Sequence, residues 1–156
     1  IRTIRWEIIR EALEPIRSKA ESIFNNKHQS AAFDFQFVDG RGNEVFKFGW
    51  KVAGEYGDMF IDFDSLSTSQ QLFTLVAVLS PLIELGNPKF KMLMFDNCEV
   101  IDLDHRSNFI QKLLLAREVC WLDNIIIASS GASPIEENAG ITYINLYDGK
   151  TEVEAG

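Results

Sequence analysis

Basic residues are scarce in this sequence: 156 residues include 15 Lys and Arg against 23 Asp and Glu, a formal net charge of −8. Neutralising nucleic-acid phosphates requires a basic surface, so this composition argues against a stand-alone nucleic-acid-binding protein. Any contact with DNA is expected to come from another part of a larger assembly. No uninterrupted run reaches the roughly 18 apolar residues of a membrane span, and the N-terminus lacks the order of a secretion signal. We therefore expect no membrane partner.

Cysteine is scarce as well. Cys98 and Cys120 are the only two, and both stand in apolar surroundings without a metal-ligand spacing. This pattern predicts buried, reduced thiols, as in a cytoplasmic protein. A chain of this length with 46% hydrophobic residues can bury one core but is too short for two ordinary domains. We expect a single domain over residues 1–156.

The first 26 residues predict two helices. Because no cap precedes the first apolar stripe, the chain is expected to begin in mid-element. Pro15 favours the first turn of a new helix, which would run from Pro15 to Phe24 and end at Asn25-Asn26. On pattern alone, an ordinary pair of surface helices explains this region equally well. The stripe that predicts the first helix, over residues 1–13, consists of Ile1, Ile4, Ile8 and Ala12.

Residues 31–63 predict antiparallel strands. Aromatic residues alternate with polar ones on both sides of a turn at Asp39–Asn43, which indicates an amphipathic hairpin with an aromatic core face. A third strand is expected at Met59–Phe63. The alternating aromatic residues are Phe33, Phe35 and Phe37 before the turn, and Phe46, Phe48 and Trp50 after it.

The second half of the chain predicts an α/β layer. Residues 69–79 are apolar nearly all round and indicate a buried helix, which Pro81 kinks or restarts and Gly86-Asn87-Pro88 ends. A further helix is expected after a cap at Asp104 or Ser107. Short turns between these elements favour a parallel sheet with right-handed crossovers. The strands expected to be buried on both faces are Met92–Phe95, Ile125–Ala128 and Ile141–Leu146.

Two polar features frame this layer. Small polar residues at 65–71 open the first of its helices, and the carboxylate of Asp96 ends the first of its strands. An ATPase presents a phosphate-binding helix end and a Mg²⁺-holding acid in this way. Singly, the first feature is more often a plain helix cap and the second a turn former. Their order resembles the second half of an ABC-type ATPase head of the SMC, RecF, RecN and SbcC group, over roughly Pro15 to Val153.

In that family a signature segment, Leu-Ser-Gly-Gly-Gln or Glu, grips the γ-phosphate of ATP held by the opposing subunit. The resemblance assigns this role to residues 66–70, where Ser67 and Gln70 match and Thr68 and Ser69 replace both glycines. The backbone amides and hydroxyls of Thr68 and Ser69 can still face an anion. Their side chains, however, occupy space that glycine leaves open.

The resemblance makes Asp96 the Walker B aspartate, which coordinates Mg²⁺ through water. The family's next residue is usually a glutamate that deprotonates the attacking water, and here Asn97 stands in its place. An amide can hold a water but cannot accept its proton. Hydrolysis would therefore be slow, unless Glu99 substitutes as the base.

Two further family motifs are altered. Ile101-Asp102 fits the D-loop that touches the partner subunit, with Asp104 as the alternative match. After the second strand, where the family places a switch histidine, this chain has Ser129. Of the two histidines, His28 is expected in a solvated loop, and His105 either does the same or faces the dimer interface.

The phosphate-binding pattern Gly-x-x-x-x-Gly-Lys-Ser/Thr does not occur in the sequence. In SMC-like ATPases this Walker A loop lies in an N-terminal half, separated from the C-terminal half by a coiled coil. The resemblance therefore implies an α/β C-terminal lobe, reached by helices returning from the coiled coil, that binds ATP and Mg²⁺ only together with a Walker A lobe. It also implies an ATP-linked homodimer acting on DNA in repair, recombination or chromosome maintenance, with a nuclease as a possible partner.

Two alternatives stay open. One is a degenerate, non-hydrolysing head that binds nucleotide or only a protein partner, as Asn97, Ser129 and the missing glycines suggest. The other is an α/β interaction domain without a nucleotide role, in which each motif is a cap or a turn. A Walker A loop upstream of a heptad-rich segment in a longer parent chain would favour the ATPase interpretations.

Overall fold

The computed structural model describes residues 2–24, 31–55, 57–96, 98–130, 142–147 and 150–155. It confirms the predicted α/β class, with helix and antiparallel strands first and a parallel strand pair later. Its helices and strands, in chain order, are α1 Arg2–Phe24, β1 Ala31–Val38, β2 Glu44–Gly54, β3 Gly57–Asp62, α2 Thr68–Gly86, β4 Met92–Phe95, α3 Leu103–Val119, β5 Asn124–Ile127, β6 Thr142–Tyr147 and β7 Lys150–Ala155.

The N-terminal region is one continuous helix, so the prediction of two helices is wrong. Pro15 lies inside α1 on its exposed side, where the carbonyl that loses its intrahelical hydrogen bond can be solvated. The predicted stripe is also wrong, because Ile4 and Ile8 are exposed. Ile1 and the predicted helix end at Asn25-Asn26 lie outside the described residues. The face that packs inward is Trp6, Ile9, Leu13, Ile16, Ala20 and Ile23.

The predicted hairpin is confirmed. Strands β1, β2 and β3 form an antiparallel sheet in that order, with Phe33 opposite Trp50. The core face of β1 is buried against α1, and Trp6 stacks on Phe37 at 5.2 Å between ring centroids. On the polar face, ion pairs link neighbouring strands: Lys47 to Asp62 and Lys51 to Asp34. The antiparallel sheet thus has one apolar face and one charged face, the pattern of a sheet covered on one side.

Helix α2 begins and ends close to the predicted residues. It continues through Pro81, which is buried, and stops at Asn87, whose positive φ of 44° is the left-handed conformation of a helix C-cap. Among the described residues α2 is the one helix long and apolar enough to cross a membrane by length and composition. It packs against α1, α3 and β4 with Val76, Ala77 and Val78 buried, whereas Leu79, Leu82 and Leu85 are exposed, so the expected burial holds for one side of the helix only.

Strands β4 and β5 pair in parallel, Leu93 opposite Ile125, as the α/β prediction requires. Only one face of the pair is covered. Leu93 and Phe95 are buried with Phe109 of α3, whereas Met94 between them is 63% exposed. The expectation of strands buried on both faces is therefore wrong for the described residues: no described helix lies against the second face of β4, and Ile126 of β5 and Ile144 of β6 are exposed.

Helix α3 begins after Asp102, so the predicted caps Asp104 and Ser107 are wrong. Asp102 is extended, and its carboxylate accepts a hydrogen bond from the backbone N–H of His105 at 3.0 Å. Asp104 instead stands in the first turn, where a negative charge favours the helix dipole. The buried face of α3 includes Phe109, Ile110, Leu113, Ala116 and Cys120 at its end.

The last predicted strand is present, but its partner is different. Strand β6 pairs antiparallel with β7, Tyr147 opposite Lys150, in a separate two-stranded sheet. The expectation of a third strand in the parallel sheet is thus wrong among the described residues. The Asp148-Gly149 dipeptide between the strands is a strong hairpin signal that favours this pairing.

Both cysteines are buried and free, as predicted. Burial raises the pKa of Cys98 and that of Cys120, each to about 11. They belong to the core between β4, β5 and the helices, while a second core lies between α1, α2 and the antiparallel sheet. Helices α1 and α2 contribute to both cores.

Candidate functional site

The carboxyl ends of β4 and β5 bring together three of the predicted site residues. Asp96 follows β4 and Ser129 follows β5, while Glu99 stands in the short helical turn after Asp96. The main chain is fixed here by hydrogen bonds from the Ala128 N–H to the Phe95 carbonyl (2.8 Å) and from the Cys98 N–H to the Ala128 carbonyl (3.3 Å). Ligands of parallel sheets bind at this edge. Asp96, Glu99 and Ser129 are all exposed there.

Glu99 is held as a stable anion. Hydrogen bonds from its own backbone N–H and from the Ser130 N–H, which lies 3.4 Å from Oε2, lower the pKa of this carboxyl, and the charge of Arg106 adds to the effect. A base with a lowered pKa is a weaker proton acceptor. Asn97, predicted at the water-activating position, lies outside the described residues.

The signature-like segment forms a capping box at the start of α2. The Ser67 Oγ accepts a hydrogen bond from the Gln70 N–H at 3.4 Å, and the Gln70 Oε1 accepts one from the Ser67 N–H at 3.0 Å. Ser67 Oγ also lies 3.3 Å from Ser69 Oγ. The first intrahelical bond runs from the Gln71 N–H to the Ser67 carbonyl, so the N–H groups of Thr68 and Ser69 precede it and point out of the helix end.

Two side chains tie this helix end to the rest of the fold. The Trp50 Nε1 donates to Thr74 Oγ1 at 2.8 Å, and the Thr74 hydroxyl donates to the Gln70 carbonyl at 2.8 Å. The Gln71 amide donates to the Phe63 carbonyl at 3.1 Å. The capping segment is therefore positioned from the antiparallel sheet.

Asp102, predicted to lie in the D-loop, is the N-cap of α3. Its Oδ1 lies 2.6 Å from His105 Nδ1, and hydrogen bonding to His105 lowers the pKa of Asp102. Both side chains are exposed. Both residues follow β4 in sequence, after the short helical turn that contains Glu99. His28 lies outside the described residues.

The polar groups of the site match the expected ligands, Mg²⁺ and ATP, only in part. A carboxylate such as Asp96 at the edge of a parallel sheet is a suitable Mg²⁺ ligand. Over the described ranges, however, no three Cys, His, Asp or Glu side chains are grouped closely enough to hold a metal ion. With no phosphate-binding loop in the sequence, these residues do not fit a complete ATP site.

The second face of the β4–β5 pair is the largest departure from the sequence analysis. Met92, Met94 and Ile126 are 38%, 63% and 45% exposed, and Met94 stands opposite Ile126. Parallel sheets occur almost only with both faces covered. We call the surface formed by Met92, Met94 and Ile126 the bare face.

Sequence reasoning missed several residues of this region. Ser130 and Arg106, which stabilise the Glu99 anion, carry no motif; the pairing of β4 with β5 brings Ser130 close, whereas Arg106 lies in the first turns of α3. The bare face could not be recognised, because a continuous apolar run gives no indication of whether both faces are covered within the same chain. Trp121, exposed at the end of α3, was likewise not singled out.

Comparison with known proteins supports the fold. No family model matches the chain, and neither does any curated protein sequence. Among solved structures, a chain from work on the structural biochemistry of ATP-driven dimerization and DNA-stimulated activation of SMC ATPases is similar, with 14% identity and a TM-score of 0.56. The match covers 95% of this chain and 87% of the other. At this identity, the likeness shows that the two chains share a fold.

Proposed function

We propose that this chain is the C-terminal lobe of an SMC-like ABC-type ATPase head, completed by a separate lobe that carries the Walker A loop. The bare face carries this proposal. Strands β4 and β5 form a parallel pair of only four residues each, with apolar side chains exposed on one side. Such a pair needs further strands beside it and a layer over it to be stable.

The polar edge supports a nucleotide role for the completed head. Asp96 would serve Mg²⁺, and Asn97 or Glu99 would hold the attacking water near Ser129. The Walker A lobe would supply the phosphate-binding loop. This division explains why a suitable Mg²⁺ carboxylate occurs in a chain without that loop.

The start of α2 supports a role across a dimer. The N–H groups of Thr68 and Ser69 form an anion-attracting helix end, held in place through Thr74 and Gln71. In the proposal, Ser67 to Gln70 of one head close on the γ-phosphate of ATP in another, with Asp102 near the same interface. ATP would then link two heads. DNA would be engaged by the full assembly, in repair, recombination or chromosome maintenance, and a nuclease partner is part of the same proposal.

The main experiment compares ATP binding with and without the Walker A lobe. Calorimetry should detect almost no Mg-ATP binding to this chain alone, and co-expression with the Walker A lobe of the same head should restore it. Replacing the Walker A lysine in that lobe is the control and should abolish binding again. Micromolar ATP affinity of the chain alone would contradict the division of the site.

A second experiment separates a signature role of Ser67 from plain helix capping. Ser67→Ala and Ser67→Arg both remove the capping hydroxyl, so each should lose about 1 kcal/mol of stability. Only Ser67→Arg adds bulk and charge where another head would dock. In the complete head, which includes the Walker A lobe, sedimentation should show ATP-dependent dimers for Ser67→Ala and none for Ser67→Arg. Equal dimerisation of both variants would leave Ser67 as a cap alone.

A second candidate function is a non-hydrolysing head. The lowered pKa of Glu99 favours it, because the carboxylate that could replace the missing base is a weak proton acceptor. In the complete head, Asn97→Glu should raise turnover by roughly 10²–10⁴-fold with little change in ATP affinity if only the base is missing. If Glu99→Gln abolishes hydrolysis and Asn97→Glu has no effect, Glu99 is the base. ATP binding without turnover in all variants would favour a nucleotide-gated interaction domain.

A further inference from the structure

Helix α2 is apolar on nearly every side, so the burial of apolar area gives little preference for one rotation of the helix about its axis. Burial is non-directional and roughly proportional to the area removed from water. A rotation that exchanged the exposed leucines for the smaller buried residues would bury a similar apolar area. The buried apolar side chains include Val76, Ala77 and Val78, and the exposed ones are Leu79, Leu82 and Leu85.

The polar side chains of α2 have the opposite distribution. Among the described residues, the two buried polar side chains, Thr74 and Ser80, both belong to this helix. The Ser80 hydroxyl donates to the Val76 carbonyl inside the helix at 2.8 Å, a bond that is the same at any rotation. The Thr74 hydroxyl instead accepts from the indole Nε1 of Trp50 in β2 at 2.8 Å, so it ties one side of α2 to the antiparallel sheet.

The Trp50 indole is held in place by neighbouring rings. It meets Phe24 of α1 edge to face at 5.9 Å and Phe33 of β1 at 5.5 Å between ring centroids. A packed ring therefore directs its N–H at a short side chain, whose hydroxyl is set by one torsion. A rotation of α2 would break this bond beside the fully buried Thr74, where an unpaired polar group is costly.

Other side-chain contacts of α2 can follow a rotation. The Gln71 amide donates to the Phe63 carbonyl at 3.1 Å, and Glu84 forms an ion pair with Lys19 of α1. Gln71 and Glu84 are long side chains with many rotamers, so their torsions can adapt to a moved backbone. Thr74 lacks this freedom, because it is short and β-branched.

The rotation of α2 decides where the capping box at its start points. Thr74 lies one turn after Gln70, and its hydroxyl donates to the Gln70 carbonyl at 2.8 Å. Gln70 in turn exchanges hydrogen bonds with Ser67. A rotation of about 20° would move a side-chain atom about 6 Å from the helix axis by about 2 Å. A continuous chain of contacts thus runs from Trp50 to the box.

We propose that the Trp50–Thr74 hydrogen bond selects one rotation of α2 about its axis, which makes Trp50 a positioning residue for the Ser67–Gln70 capping box. A buried polar contact suits this role, because its direction distinguishes packings that apolar area does not, as a single buried asparagine sets the register of a coiled coil. The rotation itself follows from contacts within this chain. Its effect on an ATP-linked dimer rests on the proposed function, in which the box closes on the γ-phosphate held by another head.

The first test measures the rotation by cysteine labelling of this chain. Leu82→Cys places a thiol on the exposed side of α2, and Ser80→Cys places one on the buried side. With Trp50 and Thr74 present, a maleimide should label the first thiol more than about 100-fold faster than the second, since local opening alone exposes a buried site. The native cysteines are buried, so the unaltered chain is the blank.

The altered background combines Trp50→Phe with Thr74→Val. Replacing both polar partners by apolar groups is close to neutral for stability, yet it removes the directional contact. The labelling ratio should fall to about 10 as the rotated helix reaches roughly 10% of the molecules. Thr74→Ser keeps the hydroxyl and is the matched control, with a ratio that should stay above about 100. An unchanged ratio in the double variant, or an equal fall in Thr74→Ser, would overturn the inference.

The second test follows ATP-dependent dimers of the complete head by sedimentation. The double variant should keep its Tm and the ATP affinity of a single head, while its dimers weaken by about 10²-fold, the scale that a misplacement of about 1 Å can reach. Thr74→Ser should dimerise like wild type. If the double variant does not fold, Thr74→Val alone serves in both tests with the same deciding outcomes.

Ser67→Arg in the same assay separates this inference from the proposed function. If Ser67→Arg abolishes dimers and the double variant dimerises normally, the positioning role of Trp50 is overturned while the proposed function stands. If Ser67→Arg still dimerises, the proposed role of the box is wrong, and the effect of Trp50 on dimers is overturned with it.

Discussion

The two sheets of this chain differ in how completely they are covered. The antiparallel sheet buries Phe33, Phe35 and Phe37 on one face and carries interstrand ion pairs on the other. The parallel pair buries Leu93 and Phe95 on one face and exposes methionine and isoleucine on the other. The apolar face of the antiparallel sheet is covered within the chain. The parallel pair has an apolar face that no element of the described ranges covers.

This difference reflects how each sheet is connected. Antiparallel strands joined by short turns need one covered face, and charged side chains can occupy the other. Parallel strands are linked by crossover helices, which cover one face, and the opposite face requires helices from other crossovers. Here α3 provides one crossover between β4 and β5. The exposed apolar face of this pair, uncovered by any described element, is the observation that supports the proposed second lobe.

The largest expected loss of stability is in the antiparallel sheet. An alanine Cβ at Gly49 would lie 2.0 Å from the Ile61 carbonyl oxygen, a backbone atom that cannot move without displacing β3. Gly49→Ala should cost more than about 4 kcal/mol or prevent folding. Gly40→Ala, where nothing lies within 4 Å of the added Cβ, is the control. Denaturant unfolding should find it close to wild type, and similar stabilities for both variants would refute this packing of β2 on β3.

A pair of truncations compares the sheets directly. Phe33 is fully buried and Met94 is exposed, so Phe33→Ala should cost about 3–5 kcal/mol, whereas Met94→Ala should stay within about 0.5 kcal/mol. The order should reverse in a binding assay with the Walker A lobe, where Met94→Ala should weaken association. A large stability loss from Met94→Ala in the chain alone would mean that the bare face is covered within this chain.

Loss of the hydrogen bond that joins the antiparallel sheet to α2 should have a smaller effect on stability. Thr74→Val removes the hydroxyl that accepts from Trp50 and should cost about 1–3 kcal/mol, since the indole N–H loses its partner. Ser80→Ala removes another fully buried hydroxyl of α2, which donates only to the Val76 carbonyl, and is the control. Hydrogen exchange should show faster exchange of the Gln70 and Gln71 N–H groups, which are bonded to Ser67, in Thr74→Val than in Ser80→Ala. Equal rates would show that Trp50 does not position the start of α2.

The smallest expected effect concerns the cap of the helix that covers the parallel pair. Because the pKa of Asp102 is lowered in the folded chain, its contribution is present above the ordinary value of 3.8 and is lost as the pH falls through the lower, folded-state value. Asp102→Asn keeps a capping oxygen and should remove this pH dependence. Thermal melts between pH 2 and 7 measure it, with Asp104→Asn as control. Identical pH profiles for Asp102→Asn and wild type would exclude this role.

Local sequence patterns predicted much of the antiparallel sheet and of α2. The alternation of aromatic residues around Asp39–Asn43 predicted the β1–β2 hairpin, and Gly86-Asn87-Pro88 marked the end of α2. The predicted helix break at Pro15 is wrong, because Pro15 is exposed and water can replace the hydrogen bond that the helix loses there. The cap of α3 was assigned to Asp104 or Ser107 instead of Asp102, since several capping residues stand close together in sequence and only backbone geometry selects one.

Sequence patterns predicted several residues of the candidate site but not all of the groups that lower the pKa of Glu99. Motif order led to Asp96, Glu99 and Ser129, which the pairing of β4 with β5 brings to one edge. The roles assigned to them, and to Ser67, Thr68, Ser69, Gln70, Asn97 and Asp102, stay predictions. The pKa of Glu99 is lowered first by its own backbone N–H, then by Ser130 and the charge of Arg106, and of these only Ser130 is distant from it in sequence.

The sequence by itself determined the order and type of the main elements, because hydrophobic period, turn residues and helix stops are encoded within a few neighbouring positions. It also determined that the Walker A pattern is absent. Only the tertiary structure decided which faces are covered, with Met94 exposed and Leu93 buried, and which side of α2 meets Trp50. The physical reason is that burial depends on which distant segments pack together, and an apolar run has the same sequence whether one face or both are covered.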